Sequence, residues 1–124
     1  MGYPQTANMA YATLATELTD PGRAEALVFA RVTRHLRSAF DADPTTAGPA
    51  RARALHDNRR LWRAAASACA DDTNALPEDL RAALLGLAGY VDRTTTALLR
   101  GEGSVSPLIE INQRMANGLT AGAL

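Results

Sequence analysis

Apolar positions recur at intervals of three and four along nearly the whole chain, and turn residues interrupt the recurrence at a few places. Residues 5–19 carry Met9, Tyr11, Leu14 and Leu18 among small residues, which predicts a short helix. Asp20-Pro21 then offers a capping side chain followed by proline at a first helical position. Ala24, Leu27, Val28, Val32, Leu36, Ala39 and Phe40 follow at helical spacing and predict a second helix to about residue 41. Residues 43–49 are dense in turn formers and predict a mobile connection. A third helix is predicted from Pro49 to Ala70, with Ala54, Leu55, Leu61, Trp62, Ala65 and Cys69 as its stripe and Asn58 on the same face. Asp71 to Asn74 break it, and Leu76-Pro77-Glu78-Asp79 opens a fourth helix with acids placed for its dipole. Leu80, Leu84, Leu87, Val91 and Leu98 give that helix the strongest periodicity in the chain, up to a left-handed cap at Gly101. A last helix opens at Ser106-Pro107 and carries Leu108, Ile109, Ile111, Met115 and Leu119. Residues 1–4 and 120–124 are expected to fray.

Four or five helices with short connections predict an all-α, single-domain antiparallel bundle over residues 1–124. Composition points the same way. Of the 124 residues, 47% are hydrophobic, and Ala and Leu dominate that share while Val and Ile are scarce, which disfavours a sandwich or barrel. One cysteine, Cys69, and two histidines leave no disulfide and no credible zinc site, and no cofactor is expected. No basic-apolar leader and no apolar run of membrane-spanning length is seen, so a cytoplasmic protein without membrane contact is expected. All 13 basic residues are Arg, a usage typical of GC-rich genomes.

No catalytic arrangement stands out. Gly86 and Gly89 lie inside a helix, and Gly101 with Gly103 lacks the Lys-Ser/Thr of a phosphate loop. Asp71/Asp72 and Glu78/Asp79 sit where capping explains them. His56 and Cys69 lie about 20 Å apart along one predicted helix, too far for a nucleophile and its base. The expectation is a protein that is not an enzyme. Residues 56–62, HDNRRLW, gather polar side chains around the only tryptophan. Asn58 and Trp62 lie one helical turn apart, either as core elements or as a spot that recognises a partner helix. An Asn on an apolar face must be hydrogen-bonded, and Asn58 and Asn112 are candidates to satisfy each other. Leu108, Ile109, Ile111 and Met115 give the last helix more apolar surface than one neighbour covers, so part of it is expected to bind a partner.

Charge is uneven. The formal net charge is zero, yet residues 23–63 carry +5, residues 1–22 carry −2 and residues 64–124 carry −3. Arg31, Arg34 and Arg37, with Arg59, Arg60 and Arg63, form a candidate basic patch for phosphates or an acidic protein. Scarce aromatics weaken any case for base stacking.

Three blocks, HDNRRLW at 56–62, NALPEDLRAALLGLAGYVDR at 74–93 and LLRGEGSVSPLIEINQRMANGL at 98–119, closely resemble the alphaproteobacterial flagellar biosynthesis regulator family FlaF. LIEIN is the most specific of these motifs. The resemblance implies a small helical cytoplasmic factor without enzymatic activity, needed for flagellin production and export and acting alongside the translational regulator FlbT. Flagellin itself is the implied partner, held in a chaperone-like manner. The expected contact residues are Leu108, Ile109, Ile111 and Met115, with Asn58, Trp62 and Asn112. The alternative is post-transcriptional control, through FlbT or by the six arginines binding flagellin messenger RNA directly.

Overall fold

Proline opens each helix. Pro21, Pro49 and Pro107 occupy the first two helical positions of their elements and Pro77 immediately precedes its own, where the missing N–H costs nothing and the fixed φ suits the helix. The computed structural model describes residues 21–71 and 77–121. Within them lie α1 (Pro21–Asp41), α2 (Gly48–Ala70), α3 (Glu78–Leu99) and α4 (Ser106–Ala121). Boundaries fall within a residue or two of those predicted, and no strand occurs among the described residues, so the fold is an all-α bundle. The predicted helix at 5–19, the cap at Asp20 and the breaking run at 72–74 lie outside the described residues.

Helix ends are closed by identifiable groups. The C-terminus of α3 is a Schellman motif: the Gly101 N–H donates to the Leu98 carbonyl at 2.9 Å and the Glu102 N–H to the Ala97 carbonyl at 2.9 Å. Gly101 has φ +81°, which a side chain would strain, as the sequence led us to expect. Arginine closes the C-termini of α1 and α2. Arg51, from α2, donates to the carbonyls of Ala39, Phe40 and Ala42 at the end of α1 and lies 4.7 Å over the Phe40 ring. Arg81, from α3, donates to the carbonyls of Cys69 and Asp71 at the end of α2. In both cases the next helix supplies a cation to the negative end of the preceding one.

The connection between α1 and α2 is closely tied rather than an open span. The Thr46 and Ala47 N–H groups donate to the Asp43 carbonyl, the Asp43 carboxylate accepts from the Thr45 N–H and hydroxyl, and Ala47 is buried. Those two hydrogen bonds, the backbone one foremost, hold the Asp43 carboxyl below its ordinary pKa of 3.8.

Helix α1 packs against both α2 and α4, and α2 also packs along α3. Phe29 meets Trp62 edge to face at 5.5 Å between centroids, and Arg51 reaches Ala39, so α1 and α2 run antiparallel. Phe29, Leu36, Leu55, Trp62, Val91, Leu108 and Met115 form the core. Burying each large aliphatic among them stabilises by roughly 1.5–3 kcal/mol.

Two faces depart from the expected pattern. On α1 the interior face is Ala26, Phe29, Val32, Thr33 and Leu36, whereas Leu27, placed on the predicted stripe, is 55% exposed. Thr33 tolerates burial because its hydroxyl donates to the Phe29 carbonyl at 2.6 Å. On α3, nothing from Glu78 to Tyr90 is fully buried, although that half carries the most regular stripe of leucines.

Candidate functional site

Asn58, Trp62 and Asn112 come together in the interior. The Trp62 Nε1–H donates to Asn112 Oδ1 at 2.8 Å, and Asn112 Nδ2 donates to Asn58 Oδ1 at 2.7 Å. An indole N–H can only donate, so it fixes the Asn112 amide with its oxygen toward Trp62 and its NH2 toward Asn58. Both asparagines are fully buried. The mutual satisfaction of Asn58 and Asn112 is as the sequence suggested. One end stays open, because Asn58 Nδ2 is buried without a hydrogen-bond partner. These three side chains face inward, so they hold α2 to α4 and do not offer a partner surface.

The apolar residues of α4 divide. Leu108 and Met115 are core, while Ile109 and Ile111 are half-buried against it. Most of the surplus apolar surface expected of this helix is therefore used internally. What remains opens on a groove toward α3. No extensive packing joins α3 to α4, and the space between them, about 460 Å³, is walled by Leu80, Ala83, Leu84 and Leu87 on one side and Ile111 and Met115 on the other. Glu110 and Arg114 stand at its edge, paired with each other at 2.9 Å. Leu87, on the α3 side, is 36% exposed. Apolar walls with charge confined to the rim suit the apolar face of an amphipathic helix.

The sequence reading took Leu80, Leu84 and Leu87 only as the periodic stripe of their helix and did not name them as a binding wall. A signal was present. Leu85 and Tyr90, added to the stripe, make the apolar arc of α3 wider than one neighbour covers, the same argument that was applied to α4.

The six arginines do not act as one set of free cations. Asp92, on α3, accepts ion pairs from Arg59, whose Nε lies 3.2 Å from Oδ1 off the line of a hydrogen bond, and from Arg63 at 2.9 Å. Arg59 also donates to the Asp92 carbonyl and to the Thr96 hydroxyl. Arg60 pairs with Asp57 on its own helix at 2.8 Å. Arg31, Arg34 and Arg37 remain exposed on α1. His56 is exposed and Cys69 buried on the unbroken α2, which keeps them apart. Among the described residues no group of three His, Cys, Asp or Glu side chains is placed to hold a metal, and no helix is long and apolar enough to cross a membrane.

Fold and site together define a small helical protein whose polar relay is internal and whose open face is an apolar groove. The sequence model of the family described as flagellar protein FlaF matches residues 7–119, nearly the whole chain, and the protein belongs to that family. No curated protein and no solved structure matches it.

Proposed function

We propose that this flagellar protein is a cytoplasmic, chaperone-like factor that binds flagellin and supports its production and export. The α3/α4 groove receives an amphipathic helix of newly made flagellin, with aliphatic side chains laid against Leu84, Leu87 and Ile111. The observation that carries this reading is the apolar groove that the described residues leave open, in a member of a flagellar family. Apolar helical faces left exposed before assembly are prone to aggregate, and a groove that covers them would prevent this.

The test is co-purification with the cognate flagellin. Leu87→Asp, at an exposed position in the groove wall, is expected to abolish co-purification while helicity by circular dichroism is kept, and Ile111→Asp to weaken it. Undiminished flagellin capture by Leu87→Asp rejects the groove. Pairwise pull-downs that recover FlbT but not flagellin assign the action to FlbT instead.

The exposed row Arg31, Arg34 and Arg37 favours a second reading, direct contact with flagellin messenger RNA. It requires a gel shift of the flagellin leader that weakens steeply with salt; no shift at about 50 mM salt rejects it. The ties of Arg59 and Arg63 to Asp92 reduce the cations available for it.

A further inference from the structure

We propose that the outward face of α3 is a self-association surface, on which a second copy of this chain packs antiparallel as a weak, reversible dimer. This face is distinct from the groove, and the dimer does not depend on flagellin.

Asp79, Ala82, Gly86, Gly89 and Arg93 fall within an arc of about 80° of the helix, with Leu85 on one flank and Tyr90 on the other. The groove wall of Leu80, Ala83, Leu84 and Leu87 is centred about 130° away around the same helix. Leu85 and Tyr90 are each 40% exposed, and Ala82 and Gly86 are exposed between them. Between Asp79 and Asp92 the only charged side chain is Arg81, and it is turned to the carbonyls at the end of α2. The middle of the face is therefore apolar and open to a partner.

Charge names the occupant. Arg93 and Asp79 stand at opposite ends of the face, both exposed, and neither joins an ion pair among the described residues. The Asp79 carboxylate accepts the neighbouring Leu80 N–H on Oδ1. A two-fold axis between Gly86 and Gly89 sets Arg93 of one protomer level with Ala82 of the partner subunit. Asp79 of the partner subunit then lies about 4.5 Å further along the axis, an offset that an arginine side chain spans. Symmetry makes this pairing twice, and it sets Leu85 beside Leu85 on one flank and Tyr90 beside Tyr90 on the other. A second copy thus fits both ends at once, where a partner bearing one sign of charge fits only one.

The glycines let the two backbones approach. A Cβ at Gly86 would meet nothing within 4 Å, and one at Gly89 would meet only the Arg93 guanidinium, 3.3 Å away at the end of a flexible side chain. Nothing inside the protomer calls for glycine at either position, and a helix interior disfavours it. The strip is about 21 Å by 10 Å, short of the roughly 800 Å² per partner of a standard interface, so association is weak and concentration-dependent. Both grooves stay open in such a dimer.

Sedimentation equilibrium of the full chain from about 5 to 500 µM is expected to show a monomer passing into a dimer. Gly86→Leu, for which the protomer has room, is expected to keep helicity by circular dichroism and to weaken the dimer at least about tenfold. Arg93→Asp and Asp79→Arg are each expected to weaken it, and the double variant to recover it to within about threefold of wild type. A monomer at every concentration overturns the proposal, and so does a dimer that Gly86→Leu leaves unchanged. If Gly86→Leu unfolds, the charge exchange decides alone, and a double variant that does not recover overturns the antiparallel pairing. A monomer that loses flagellin capture on Gly86→Leu assigns the face to the client and overturns self-association. A dimer that binds no flagellin leaves self-association standing and rejects only the function proposed above.

Discussion

The centre of the bundle and the open half of α3 use apolar helical faces to opposite ends. At the centre, the faces of α1, α2 and α4 close on Trp62 and bury two asparagines with it, which is tolerable only because Trp62, Asn112 and Asn58 bond in series. Along α3 from Leu80 to Tyr90 the face is more regular and wholly apolar, and it stays half-exposed because α4 stands apart from it. Regularity of an apolar stripe thus shows that a surface seeks cover. It does not show whether the cover comes from the same fold.

The contrast is broken most severely at Trp62. Trp62→Ala removes the ring that joins three helices and should cost about 3–5 kcal/mol, seen as a lower denaturant midpoint by circular dichroism. Next comes the relay. Asn112→Leu leaves the indole N–H and the Asn58 carbonyl oxygen unpaired together and should cost about 2–3 kcal/mol. Asn58→Leu should cost less, since its Nδ2 already lacks a hydrogen-bond partner. The double variant should cost less than the two added, and strict additivity would show that the relay does not act as a unit. In the groove, Leu87→Asp should change stability by about 0.5 kcal/mol or less while flagellin capture is lost. A large destabilisation there would move Leu87 into the core and erase the comparison. The smallest effect concerns Asp43, which belongs to neither region. Its folded pKa lies below the ordinary value, so its contribution is full above that value and is lost as pH falls through the folded pKa. Asp43→Ala should flatten the acid limb of melting temperature against pH, between about pH 5 and 2.

Much of this was legible in the sequence, for reasons tied to particular residues. Prolines at helix starts and Gly101 at a helix end have few conformational alternatives, and they marked the boundaries well. The pairing of Asn58 with Asn112 could be anticipated because a buried amide has so few ways to be satisfied. Rotation of α1 was less legible. Phe29 and Leu27 are both apolar, and the choice between them depends on Trp62, contributed by another helix. The two arginine caps were not legible at all: Arg51 and Arg81 look like any surface cations until the carbonyls they close are brought to them. Nor could spacing tell that Asp92 would take up Arg59 and Arg63, and so the basic stretch read as one patch.

Trp62 is the only tryptophan in the chain, and its neighbours make it a built-in optical reporter. Its ring touches Phe29 of α1, its N–H is bonded to Asn112 of α4, and it stands on α2, so its emission colour registers the joining of three helices in one signal. Leu80 to Leu87, on the remaining helix, line a wall that does not include it. Fluorescence therefore watches assembly of the interior while remaining nearly blind to traffic in the groove, and a partner that shifts it has reached beyond the surface where it docks.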